Sequence, residues 1–349
     1  MDVGDAVRTS GPVTVVRSDC ELVCPRIDDE LRSQGVNLVL TNGGLSEERF
    51  VRSVREADLL LTCYQPVTAA VIAAAPRLRA IIKYGVGVDA IDIEAAKAQG
   101  IPVVNVPGYA EETVAEAAFA HMIALAKKMT PLQREIRAEG WAWPEPRWLG
   151  TDIAGKTVGL VGTGRIGTCM ARMAGVGFRA RVLGFDPFVS DEQMRNHGIE
   201  KLDSLDQLLR ESDFVSLHAT LTPESRHLIG EHELAQMRST AFLINVSRGE
   251  LVDEQALVTA LTEGRIAGAG LDTYGQEPLT LTGHPLEPLF AMENVILLPH
   301  LAFYTEQAMD RLEQEVLERC AEALSGARLT VRSGDPRLAS QVQGVVIDV

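Results

Sequence analysis

The chain has 349 residues and a mass of 37.8 kDa, with 46% hydrophobic and 23% charged residues, enough for two domains that each bury a core. Its 33 basic and 48 acidic side chains give a formal net charge of −15. Such a surface repels phosphate backbones and anionic lipid, so neither nucleic acid nor membrane is expected as a partner.

The first residues, MDVGDAVRTSGP, lack the basic start and apolar centre of a signal peptide, and a cytoplasmic protein is expected. Beyond them, short β-rich runs alternate with helical stretches, the pattern of parallel α/β architecture. Strands are predicted at Val13–Val16, Val36–Leu40, Leu59–Leu61, Ala80–Ile82 and Pro102–Asn105. Helices are predicted between them at Asp28–Gln34, Ser46–Glu56, Thr68–Ala74 and Asp92–Gln99. One long helix follows from Glu112 to about Met129, with Pro131 beyond it. The segment 140–150, GWAWPEPRWLG, gathers all three tryptophans and reads as a connector or an exposed arm, for contact between copies or for buried packing.

A second series of strands is predicted at Thr157–Val161, Arg181–Phe185, Phe214–Leu217, Ala241–Val246, Ile266–Leu271 and Asn294–Leu298. Two series imply two doubly wound sheets. A long amphipathic helix, about Thr305–Ser325, is expected to return to the first domain, and residues 330–349 read as a tail. The cysteines, Cys20, Cys24, Cys63, Cys169 and Cys320, are odd in number and form no CxxC pair. They are expected to be reduced thiols, and no metal is expected.

The strand 157–161 runs straight into Gly162-x-Gly164-x-x-Gly167 and then an apolar helix. Alone the triplet is weak, but strand, glycine turn and helix together form the context of a dinucleotide loop. Gly162 allows the tight turn, Gly164 lets backbone approach a pyrophosphate, and Gly167 permits close packing. Arg165 and Ile166 lie in the same turn. The next strand ends at Asp186, where a carboxylate binds ribose hydroxyls and repels a 2′-phosphate, which favours NAD (NADH) over NADP.

Redox chemistry on such a loop calls for a proton donor and a cation for a carboxylate. Of the seven histidines, His197, His227, His232 and His284 have polar or Pro/Gly-flanked surroundings and read as solvated. His121 and His218 read as satisfied structural histidines. His300 ends the apolar run NVILLPH, on the sheet edge where α/β proteins hold ligands. Arg248 ends another strand in AFLINVSRGE, and Asp272 and Glu277 follow a third in GLDTYGQEP. A carboxylate beside His300 would fix its tautomer and favour its protonated form. Each residue also has an ordinary reading: a surface charge, a loop anion, a cap.

The chain resembles the D-isomer-specific 2-hydroxyacid dehydrogenase family over roughly residues 13 to 328, through YGVGVDAIDIEAA, NVPGYAEETVAE, GLVGTGRIG, NVSRGELVDEQAL, GLDTYGQEP and LLPHLAFYTEQA in order. The resemblance implies a Rossmann NAD-binding domain, residues 111–300, inserted in a flavodoxin-like substrate domain of residues 1–110 and 301–349. It implies hydride transfer between nicotinamide and C2 of a small anionic 2-keto or 2-hydroxy acid. Arg248 would bind the substrate carboxylate and carbonyl, His300 would act as acid/base, and Glu277 would pair with His300. Ala219, Val246, Ser247 and Asp272 would line the cofactor, and Val86 and Gly87 would offer backbone N–H groups to the carboxylate. Tyr109 and Phe303 would wall an apolar side-chain pocket.

The aromatic pair in HLAFYTEQA is similar to D-lactate and D-hydroxyisocaproate dehydrogenases. It is also similar to C-terminal binding protein, an NAD-binding corepressor, which raises a scaffold as the competing class. The complete Arg248, Glu277, His300 set and the net charge of −15 favour an enzyme, and a homodimer is expected. Phosphoglycerate is a weaker substrate reading because no regulatory domain is expected beyond residue 330; a phosphonate analogue of pyruvate would need a second cation such as Lys83.

Overall fold

The structure is a computed structural model that describes residues 12–341 and 343–348; the N-terminal stretch 1–11, read above for a targeting signal, lies outside them. The chain forms two compact units, one built from the chain up to Ala110 together with the chain from Thr305, the other from Glu111–Tyr304.

In the first unit β1 (Thr14–Arg17), β2 (Asn37–Leu40), β3 (Leu59–Thr62), β4 (Ala80–Lys83) and β5 (Val103–Asn105) form a parallel sheet in the order β2-β1-β3-β4-β5. β1, β3 and β4 are buried throughout, as the near-continuous apolar runs of a sheet covered on both faces require. Arg17, 1% exposed at the end of β1, is satisfied by a two-pronged pair with Asp28 at 2.8 Å on each prong. The helix Glu306–Ser325, capped by Thr305, packs on the helix Pro25–Ser33 and on β4.

The second unit carries a parallel sheet of β6 (Thr157–Val161), β7 (Arg181–Phe185), β8 (Glu200–Lys201), β9 (Phe214–Leu217), β10 (Phe242–Asn245), β11 (Gly268–Leu271) and β12 (Val295–Leu297). Its order is β12-β11-β10-β9-β6-β7-β8, which reverses between β6 and β9 and so leaves a ligand crevice at their C-terminal ends. β8 has only two residues and falls below what pattern reading detects. The helix Glu111–Ala126 is apolar nearly all round because it packs against both β10–β11 and the helix Arg165–Arg172.

Two expectations change. The long helix stops at Ala126, and Pro131 sits in the first turn of a new helix, Met129–Glu139, where its missing N–H costs nothing. Residues 330–349 are not simply a tail: β13 (Leu329–Val331) pairs in parallel with β14 (Val345–Ile347), and the Gln341 amide bonds both the N–H and the carbonyl of Val103, each at 2.7 Å. In the arm, Trp141 and Trp143 are 61% and 73% exposed in this chain, so they are not packed into its core.

His121 also departs from expectation. It is 2% exposed against Gly270, and neither ring nitrogen meets a hydrogen-bonding group among the described residues. Burial pushes its pKa down to about 4. The unfolded chain takes up a proton near pH 6.5 that folded His121 refuses, so its contribution to stability is complete above about pH 6.5 and is lost as pH falls toward 4. The loss is on the order of 3 kcal/mol. His121→Leu should flatten the acid side of the stability profile, measured by urea unfolding at pH 7 and pH 5; a profile parallel to wild type would refute this.

Candidate active site

The glycine loop leaves β6 at the sheet's switch point. Gly162 has φ +91°, and a Cβ there would lie 2.5 Å from the Ala219 nitrogen, so only glycine fits. A Cβ at Gly167 would lie 2.4 Å from the Gly162 carbonyl oxygen, which sets how closely the helix Arg165–Arg172 approaches the loop. Gly164 is different: a Cβ there meets nothing within 4 Å. No protein contact demands glycine at that point, and the open space suits a ligand phosphate approaching backbone.

Asp186, at the end of β7, accepts the Thr163 N–H at 2.9 Å and the Phe188 N–H at 3.0 Å, one on each oxygen. Both oxygens keep a lone pair for ribose hydroxyls, so the residues present fit NAD. Arg165 is ion-paired with Glu111 at 3.0 Å, and Ile166 is half-buried beside it.

Arg248 follows β10 on a turn shaped by a residue the motif reading passed over. Asn245, 1% exposed, accepts the Ser247 N–H at 3.1 Å and donates to the Arg248 carbonyl at 2.8 Å. The Ser247 hydroxyl donates to the Ala219 carbonyl at 2.7 Å, joining this turn to the end of β9, while Val246 is buried beneath it. The next residue, Gly249, lies so close to the following loop that a Cβ would fall 1.9 Å from the Tyr274 carbonyl carbon.

Glu277 sits on that loop. One carboxylate oxygen accepts the Tyr274 N–H at 3.0 Å and the other meets His300 Nδ1 at 2.8 Å. The two side chains are 30% and 25% exposed. Partial burial opposes the Glu277 charge, but the bonds from His300 and Tyr274 and the Arg248 charge hold its pKa below the ordinary value. The Arg248, Glu277, His300 set is thus brought together.

His300 has φ +56°, a left-handed conformation rare outside glycine. The turn is held from beneath by Asp272, 1% exposed, which accepts the Leu301 and Ala302 N–H groups at 3.1 and 2.9 Å. Burial pushes Asp272 above the ordinary carboxyl range despite those bonds and the neighbouring His300. Tyr274 adds a second brace by donating its hydroxyl to the Leu298 carbonyl at 2.6 Å. Its only signal in the sequence was its place two residues after Asp272.

The remaining predicted residues are more dispersed. In the first unit Val86 is 41% exposed beside Gly87 in the turn after β4, its carbonyl bonded by Asn105 at 2.6 Å, and Tyr109 is 6% exposed. In the second unit Phe303 is 7% exposed, edge-on to Tyr304. Lys83 is 7% exposed, donating to the Cys63 carbonyl and lying 5.5 Å over the Tyr64 ring. His218, expected to be satisfied, is half-buried and only partly so: Nε2 lies 2.9 Å from the Ser216 hydroxyl, but Nδ1 meets no hydrogen-bonding group among the described residues. His284, expected in solvent, is 4% exposed, because both ring nitrogens serve as struts inside a loop.

A doubly wound sheet with a glycine loop and carboxylate at its switch point defines a dinucleotide-binding protein, and the paired His and Glu make it an oxidoreductase candidate. Comparison with known proteins agrees: residues 119–302 match the family model of the D-isomer specific 2-hydroxyacid dehydrogenase, NAD binding domain. The chain is 43% identical over 276 residues to a glyoxylate reductase of Korarchaeum cryptofilum, covering 78% of this chain and 81% of the relative. It is 39% identical over 284 residues to a D-3-phosphoglycerate dehydrogenase of Mycobacterium bovis, covering 81% of this chain but only 52% of that protein. Among solved structures, D-lactate dehydrogenase from Aquifex aeolicus complexed with NAD and lactic acid superposes with a TM-score of 0.81 at 29% identity, covering 89% and 96% of the two chains. The chain belongs to the D-isomer-specific 2-hydroxyacid dehydrogenase family, whose members are NAD-dependent oxidoreductases.

Proposed function

We propose that this protein reduces a small anionic 2-keto acid to the D-2-hydroxy acid with NADH. The observation that carries the assignment is the 2.8 Å bond between His300 Nδ1 and Glu277. With Nδ1 facing the carboxylate, Nε2 gives and takes the substrate proton. Arg248 binds the substrate carboxylate and carbonyl oxygen, with its guanidinium carried on the Asn245-braced turn. Val86 and Gly87 donate backbone N–H groups to the carboxylate, and Tyr109 and Phe303 contact the substrate side chain. Bound NADH supplies the reducing equivalent to the carbonyl carbon. The 162–167 loop and Asp186 hold its pyrophosphate and ribose, and Ala219, Val246, Ser247 and Asp272 line its nicotinamide end.

The exposed Trp141 and Trp143 support a homodimer in which that arm is covered by a second copy, and five free thiols support a reducing, cytoplasmic setting. No helix among the described residues is long and apolar enough to cross a membrane.

Steady-state reduction of glyoxylate, pyruvate, branched, aromatic, phosphorylated and phosphonate 2-keto acids with NADH tests the proposal. Turnover of at least one acid is expected, whereas NADH binding without turnover of any would favour the scaffold class. In the same assay Asp186→Ala should raise the NADPH/NADH ratio of kcat/KM by at least tenfold, since the carboxylate no longer repels the 2′-phosphate. An unchanged ratio would remove Asp186 from the ribose site.

A further inference from the structure

The loop carrying Glu277 has no strand or helix to hold it, and residues 275–278 are exposed. Its position depends on individual contacts. Gly275 N–H donates to Glu254 at 2.7 Å, Tyr274 N–H donates to Glu277 at 3.0 Å, and His284 Nε2 lies 3.0 Å from the Gln276 carbonyl oxygen. His284 Nδ1 accepts the Leu286 N–H at 3.1 Å, which leaves the ring proton on Nε2, facing Gln276. Leu286 and Leu289 are 0% and 1% exposed, so that side of the imidazole is tied to the hydrophobic core. The ring therefore spans from a core-anchored turn to the carbonyl immediately before Glu277.

We propose that His284 is a positioning residue for the reaction: it fixes the Gln276–Glu277 backbone so that the carboxylate meets His300. This rests on reading Glu277 and His300 as the acid/base pair. A hydrophobic side chain of similar size fills the same space but cannot hold Gln276. Asparagine retains the local bond to the Leu286 N–H yet is too short to reach Gln276, while the longer glutamine amide reaches it. An ångström of misplacement at a catalytic group costs about 10²-fold in rate.

The test is glyoxylate reduction with NADH by His284→Leu, His284→Asn and His284→Gln, each assayed well below its own unfolding temperature. The leucine and asparagine variants should lose about 10- to 100-fold in kcat with KM for NADH unchanged, and the glutamine variant should recover at least tenfold of that loss. In a Glu277→Ala background, His284→Leu should cost less than a further twofold, because the group it positions is gone. Wild-type kcat in both the leucine and asparagine variants, or a full multiplicative loss in the Glu277→Ala background, would overturn the proposal. If Glu277→Ala and His300→Ala themselves turn over at the wild-type rate, it is the acid/base reading that fails instead.

Discussion

His300→Ala should lower kcat for 2-keto acid reduction by about 10²- to 10⁴-fold, the usual contribution of a positioned general acid. The carbonyl oxygen must acquire a proton as C2 is reduced, and water entering the vacated space is a poorer, unoriented donor. NADH affinity should be nearly unchanged, because the glycine loop and Asp186 belong to other strand ends of the same sheet. Steady-state kinetics and titration of NADH fluorescence separate the two quantities. A folded variant that reduces the best 2-keto acid at the wild-type rate would exclude His300 as the acid.

Gly249→Ala should be almost as damaging without removing any functional group. The added Cβ would fall 1.9 Å from the Tyr274 carbonyl carbon and 2.2 Å from the Gly275 nitrogen, both backbone atoms that cannot rotate aside. Overpacking of this kind typically costs about 1–3 kcal/mol. Relief requires separating the Arg248 turn from the loop that bears Glu277, which pulls the cation away from the carboxylate. The expected result is a lowered melting temperature together with a fall of about 10²-fold in kcat/KM, larger than stability loss explains at an assay temperature where the variant stays folded. Unaltered kinetics in a destabilised protein would show that the close approach serves packing alone.

Both expectations rest on residues whose place along the chain was readable and whose neighbours were not. The strand–loop–helix of 157–172 is contiguous, so its glycines reveal themselves in a dozen residues, and Asp186 is found by counting one strand further. The β4 and β10 strands are recognisable because burial on both faces leaves little but apolar residues in a row. The family motifs pointed to Arg248, Glu277 and His300 for the same reason: each closes a strand or the loop just after it.

Burial of a polar group obeys no such local rule. His284 lies between Gly283 and Pro285, a setting that reads as an exposed turn, yet it is enclosed because Gln276 and Leu286 come to both its nitrogens. His121 occupies a helical position that sequence treats as satisfied, and only its placement against Gly270 shows that it is not. Residues 330–349 lack a strong period, but Gln341 finds the unpaired backbone of β5 far back in the chain.

The sequence by itself determined the two βα series and the dinucleotide loop, because these are written in periodicity and in a contiguous motif, and it pointed to Asp186 and, through the family resemblance, to the proposed acid/base set. Only the tertiary structure decided what holds that set in register: Asn245 under the Arg248 turn, Asp272 under the left-handed His300, Tyr274 against Leu298, and His284 behind Glu277. These are hydrogen bonds from side chains to backbone groups in other turns. Their existence depends on where the chain's segments meet, which no run of neighbouring residues encodes.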